Sequence, residues 1–238
     1  MSPGGIPFVA ALSAVAPQPQ LVSSLSALGL GLVLGMRHAL DADHLAAVSV
    51  IATEQRSLRG SSLVGAVWGI GHTLALLGVG VLVVLLRVEI SDRIGLALEL
   101  GVACMLIGLG GNALRTLHPA HADAPPVSDT RHPPHVDIGV RPLLVGMMHG
   151  LAGSAALMLL VLSSIASPLL GLAYLAVFGL GSVGGMVVVS ALMSLPLHFA
   201  RERFARAAIA VRVVSGVASV AIGLTMAYEI GAAGGIFV

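Results

Sequence analysis

Apolar residues run along this chain in six long blocks, separated by short polar stretches. The blocks cover roughly Leu21–Thr53, Leu63–Leu86, Ile94–Leu114, Pro142–Ile165, Leu169–Leu195 and Ala207–Ile230. Each is long enough to supply the ~20 apolar residues that a helix needs to cross a bilayer. The first block is the longest and holds a charged cluster, which predicts a bent or broken helix. Most connections are short. The exception, His118–Asp137, reads HPAHADAPPVSDTRHPPHVD, a polar and Pro-rich run with the character of a flexible linker. The pattern therefore predicts an all-α polytopic membrane protein of about six transmembrane helices. An extracellular or interfacial segment occupies residues 1–20 and a first three-helix unit residues 21–117. A His/Pro-rich cytoplasmic loop spans 118–139, and a second three-helix unit spans 140–238. Ile6–Ala16 resembles the core of a signal peptide, but no basic residue precedes it and Pro17 follows, so a retained segment is expected.

Composition sharpens this picture. Of the 238 residues 57% are hydrophobic and only 10% charged, and mean hydropathy is +1.00. Soluble domains carry roughly 25% charged residues. Lysine is absent, and a net charge of +1 with no basic patch argues against a nucleic-acid partner. The single cysteine, Cys104, excludes an internal disulfide, a CxxC redox pair and a cysteine zinc site. Arginines set the orientation. Nine lie in the loops after blocks one, three and five, against Arg87 and Arg93 on the other side. The odd-numbered loops are expected in the cytoplasm of a cell whose inner membrane the chain spans, with both termini outside.

The two halves repeat one another. GMRHALDADHLA (Gly35–Ala46) aligns with GMMHGLAGSAAL (Gly146–Leu157), WGIG (Trp68–Gly71) with FGLG (Phe178–Gly181), and GVACMLIGL (Gly101–Leu109) with GVASVAIGL (Gly216–Leu224). The matches keep their order at offsets of 111, 110 and 115. Three spans per half is an odd number, so the second half must enter the membrane with opposite polarity. A 3+3 inverted-topology repeat is a recurring plan of secondary transporters, which bind their cargo near the midplane where the repeats meet.

Candidate chemistry lies at that depth. His38, Asp41, Asp43 and His44 sit mid-way along block one, His72 about ten residues into block two, and His149 similarly placed in block four. A charge at the bilayer centre costs ~2.5–3.5 kcal/mol, so such groups need partners or a task. Imidazole and carboxylate suit first-row divalent ions such as Ni, Co, Zn or Mn. On an unbroken helix His38, Asp41 and His44 drift along one broad face while Asp43 points away from His38. A kink near Gly35, or an unwound stretch, would let all of them converge. The alternative is structural: His38, Asp43 and His44 as a hydrogen-bonded lock between helices, with Arg37 pairing Asp41. Thr73 and Ser154 either line a pathway or bond carbonyls of their own helices, the second being the ordinary habit of such residues. His198 falls at a helix end among arginines, as an interfacial residue would. The loop histidines His118, His121, His132 and His135 fit either a modulatory metal-capturing tract or a solvated linker.

RHALDADH (Arg37–His44) resembles the His-x4-Asp-His signature of nickel/cobalt transporters, and GHT (Gly71–Thr73) resembles their second motif. The resemblance is concentrated in the first two spans. It implies transport of Ni²⁺ or Co²⁺, with His38, Asp43, His44 and His72 as ligands or ligand-orienting residues, and Asp41 beside them. Longer members carry about eight spans and an acidic motif in a later helix. Here the matching HGLAGSAAL (His149–Leu157) has no acid, like the shorter six-span members associated with urease maturation. The three-plus-three plan also resembles a broader superfamily that includes exporters.

The leading expectation is a secondary transporter, Ni²⁺ first and Co²⁺ second, with the ion held by His38, Asp43, His44, His72, Asp41 and His149. Arg37 and Thr73 are accessory. The ion is cargo and no prosthetic group is expected. Partners are the lipid bilayer and metallochaperones or nickel-enzyme maturation proteins. An exporter of the same architecture, or a membrane metallochaperone serving urease or hydrogenase, is the alternative. An enzyme is not expected, since no HExxH-type base accompanies the histidines. No GxxxxGK[ST] loop is present, so intrinsic ATP hydrolysis is not the energy source.

Overall fold

A computed structural model describes residues 19–54, 57–86, 91–117, 139–152, 167–203 and 205–233. The expectations for the N-terminal segment, the loop histidines, Ser154 and the His198 side chain lie outside the described residues. Those residues form helices and no strand. In chain order the helices are α1 (Pro19–His38), α2 (Ala42–Glu54), α3 (Leu58–Leu86), α4 (Asp92–Arg115), α5 (Arg141–Ala152), α6 (Pro168–Arg203) and α7 (Ala205–Ala233).

Four helices are long and apolar enough to cross a membrane, over Leu58–Val83, Arg93–Arg115, Pro168–Leu195 and Ile209–Ala232. They correspond to the second, third, fifth and sixth apolar blocks. Their outward residues are apolar, among them Ile70, Leu74, Leu180, Leu192, Val214 and Leu224. Lipid is the solvent that such a surface fits. Local chemistry fixes several helix starts. Ser57 Oγ accepts from the Gly60 N–H at 3.1 Å ahead of α3, and Ser167 precedes Pro168, a residue suited to the first helical position. α6 runs through Pro196 to Arg203, eight residues past its apolar block, so arginines expected in a loop extend the helix instead.

Block one is broken, as its charges suggest, but not at Gly35. α1 continues through Gly35 to His38, and α2 starts at Ala42. Between them the chain tightens. The Leu40 N–H donates to Arg37 O at 2.9 Å and the Asp41 N–H to His38 O at 3.1 Å, before Leu45 N–H resumes the α-pattern on Asp41 O at 2.9 Å. Asp41 thus takes the position before a new helix that Asp favours, and Asp43 lies in the first turn, where the helix dipole stabilises an anion.

Gly35 has a different task. A Cβ there would collide with the Phe178 carbonyl of α6. The corresponding residue of the second half, Gly146 in α5, would collide with the Trp68 carbonyl of α3. A second pair behaves alike: Gly181 lies against Leu32 O of α1, and Gly71 against Leu143 O of α5. So α1 packs on α6 and α5 on α3, each half lending its first helix to the other, while α3 packs on α6 and α4 on α7. Hydroxyls bond across these seams. Ser182 Oγ donates to Gly35 O at 3.2 Å, and Ser219 Oγ to Leu106 O at 2.9 Å.

Candidate metal centre

The break between α1 and α2 creates the site. It ends one helix on His38 and begins the next just ahead of Asp43 and His44, so side chains that a straight helix would splay turn toward one another. The His38 and His44 ring centroids are 4.5 Å apart. α3 brings His72, with centroids 5.1 Å from His38 and 5.4 Å from His44. α5 brings His149, 4.6 Å from His44. His44, His72 and His149 are fully buried. Four helices thus converge on one cluster through their packing contacts.

Polar contacts orient part of it. His38 Nδ1 lies 2.7 Å from Asp41 Oδ2. Asp43 Oδ1 accepts from the His44 backbone N–H at 2.9 Å and lies 3.1 Å from His44 Nδ1, while its Oδ2 stands 3.3 Å from His149 Nε2. Besides these contacts, five buried imidazole nitrogens have no polar partner: His38 Nε2, His44 Nε2, both nitrogens of His72, and His149 Nδ1. An unsatisfied buried polar atom costs ~1–3 kcal/mol, so this many together call for a ligand with several open positions. Ligand atoms gather in two groups of three, each within 4.8 Å: His38, His44 and His72, and Asp43, His44 and His149. Nitrogen with a carboxylate is a donor set for first-row divalent ions.

Asp41 joins neither group. It is exposed and acts on His38, orienting the ring as carboxylates orient metal-ligating histidines. Arg37 is also exposed, and the partner of Asp41 is His38 rather than Arg37. For Thr73 a bond to a carbonyl of its own helix is expected, and its bond instead crosses to a neighbouring helix. Its Oγ1 donates to Gly179 O of α6 at 3.1 Å, because the glycine lets α3 approach closely there.

The sequence reading overlooked two aromatic walls. Trp68 stacks on His44 with centroids 5.6 Å apart and planes 16° apart, and lies 5.5 Å from His149. Phe178 lies 5.6 Å from His38. The signal was present: each aromatic opens its WGIG or FGLG motif four residues before a buried polar side chain, His72 or Ser182, one helical turn away on the same face.

Comparison with known proteins agrees with this chemistry. The sequence model of a family described as NicO, high-affinity nickel-transport protein, matches residues 24–111, which carry α1 to α4. The chain is 36% identical over 221 residues to the urease accessory protein UreH of Bacillus sp. (strain TB-90), covering 91% of this chain and 96% of that protein. It is 29% identical over 208 residues to the chloroplast protein FOR GROWTH AND FERTILITY 1 of Arabidopsis thaliana, covering 82% of this chain and 56% of that protein. No solved structure matches. The chain belongs to the nickel/cobalt transporter family, among its urease-associated members, and is a multi-pass membrane transporter rather than an enzyme.

Proposed function

We propose that this protein is a secondary transporter that carries Ni²⁺, and Co²⁺ second, by binding the ion at the midplane between two inverted three-helix halves. The observation that carries the reading is the buried cluster of His38, Asp43, His44, His72 and His149, with five imidazole nitrogens lacking partners. A dication is the ligand that satisfies several such nitrogens at once, and Asp43 offsets part of its charge. A structural lock accounts for the Asp43 bridge between His44 and His149, but it leaves both nitrogens of His72 and the far nitrogens of His38, His44 and His149 without a task. Nickel stands before cobalt through the general affinity order of divalent ions.

The inverted architecture is supported by the exchanged helix packing and by the two matched glycine–carbonyl contacts, Gly35 with Gly146 and Gly181 with Gly71. Six spans follow if α1 with α2 and α5 with the residues after Ala152 each cross once. Rocking of one half against the other then exposes the cluster alternately to the two sides. The arginine balance argues for termini outside and for the loop around residues 118–139 in the cytoplasm. The relative named for urease accessory function points to delivery toward nickel-enzyme maturation proteins.

Flux of ⁶³Ni²⁺ into proteoliposomes holding the purified protein tests this. Wild type should exceed empty vesicles by at least ~10-fold, while His38→Ala and Asp43→Ala should fall to the empty-vesicle level. That expectation rests on removal of a ligand costing more than the ~10–100-fold lost when only its orienting partner goes. Wild-type flux no higher than the background would overturn the transporter reading, and unchanged flux in both variants would overturn the site.

A further inference from the structure

The donor atoms gather in two groups rather than one. Among the described residues the donors fall into two triads, His38–His44–His72 and Asp43–His44–His149, and His44 alone belongs to both. His44 can serve both because its two nitrogens lie on different edges of the ring. Its Nδ1 is the atom beside Asp43, at 3.1 Å, and its Nε2 is buried without a partner. Exposure follows the same division. Side-chain exposure falls from 53% at Asp41 to 10% at His38 and 0% at His44, then rises from 0% at His149 to 17% at Asp43. The shared imidazole is fully buried, as are His72 and His149, and each triad has one member that is partly exposed, His38 in one and Asp43 in the other.

We propose that the cluster is two overlapping stations rather than one site, and that the ion crosses by changing partners on His44. In the first station it is held by nitrogen alone, from His38, His44 and His72. In the second it is held by His44, His149 and the Asp43 carboxylate. Only one station is filled at a time, since two dications a few ångströms apart in a low-dielectric setting repel strongly. Trp68, stacked on His44, fixes the ring plane about which the exchange occurs. The inference rests on the transporter reading above and assigns the two halves of the protein distinct roles: α3 completes one station and α5 the other.

The test separates binding from flux, with the full chain in nanodiscs and Co²⁺ and Ni²⁺ as probes. Co²⁺ absorption and X-ray absorption report the ligands, and proteoliposomes report flux. Wild type should bind one equivalent. His149→Ala should keep affinity within ~10-fold with an all-nitrogen shell, and His72→Ala should do the same with a mixed nitrogen–oxygen shell. Each should lose flux by more than ~10-fold, and His44→Ala should lose both binding and flux. His149→Gln and His72→Gln, which keep side-chain volume, replace any alanine variant that is not monodisperse. Binding lost together with flux in both single variants, or flux retained in either, would overturn the two-station inference. Wild-type protein that binds but shows no flux would instead overturn the transporter reading.

Discussion

A buried imidazole nitrogen that finds no partner costs stability, and here five of them gather at one place. The residue scale is therefore where function and stability pull apart. His72→Leu removes two unpaired nitrogens at nearly constant volume, so it is expected to raise the thermal unfolding midpoint while abolishing flux. By the cost of unsatisfied polar atoms the gain is about 1–3 kcal/mol. A thermal shift assay on metal-free protein in detergent checks this, and a lowered midpoint would mean the nitrogens have partners after all. Asp41 acts differently, through its 2.7 Å contact to His38 Nδ1. Asp41→Asn should weaken Ni²⁺ binding by ~10-fold, the lower end for a ligand's orienting partner, and Asp41→Ala by more. Isothermal titration resolves the two. The ligand types were legible in the sequence because acids and histidines are rare in apolar blocks. The role of Trp68 was less so: its spacing from His72 hints at a shared face, but an aromatic in such a block is ordinary and its stacking on His44 comes from the fold.

At the scale of the element, the break in block one was legible and its position was not. Gly35 attracts attention as the weak point of a helix, yet it is needed for contact: its missing side chain lets α1 touch the Phe178 carbonyl. The chain breaks instead at Ala39–Asp41, where Asp41 can start a new helix. Sequence spacing sees helix propensity but not the neighbouring backbone, and the neighbour decides which glycine hinges and which one packs. The packing role makes a prediction. Gly35→Ala and Gly146→Ala should each destabilise by about 1–3 kcal/mol, the usual cost of overpacking. Gly29→Ala, at a helical glycine with no atom within 4 Å of its would-be Cβ, should be neutral or slightly stabilising. Thermal unfolding of the three variants tests the contrast, and equal effects at all three positions would remove the packing argument.

For the whole molecule, the duplicated motifs foreshadowed an exchange of helices that no single motif contains. Matches at offsets near 110 say that two halves are alike. They do not say that α1 would lie on α6 and α5 on α3, which follows only when both close glycine–carbonyl contacts are seen together. The halves are alike in packing and unlike in chemistry, since in the repeat alignment His72 corresponds to Ser182 and Asp43 to Ser154. Topology is open to a direct test. In a Cys104→Ser background, Ser91→Cys should react with a membrane-impermeant maleimide in intact cells. Val140→Cys should react only after permeabilisation. Both positions are exposed and flank different loops. The opposite pattern would reverse the orientation derived from the arginines.

Trp68 is the single tryptophan of the chain. It lies in stacking contact with the one histidine that both triads share. The protein therefore carries its own optical reporter beside the proposed site. Ni²⁺ and Co²⁺ have open d shells and quench indole emission at such range, whereas closed-shell Zn²⁺ does not. Intrinsic fluorescence should thus follow cargo occupancy in real time, without a label, and distinguish a resident open-shell ion from a closed-shell competitor.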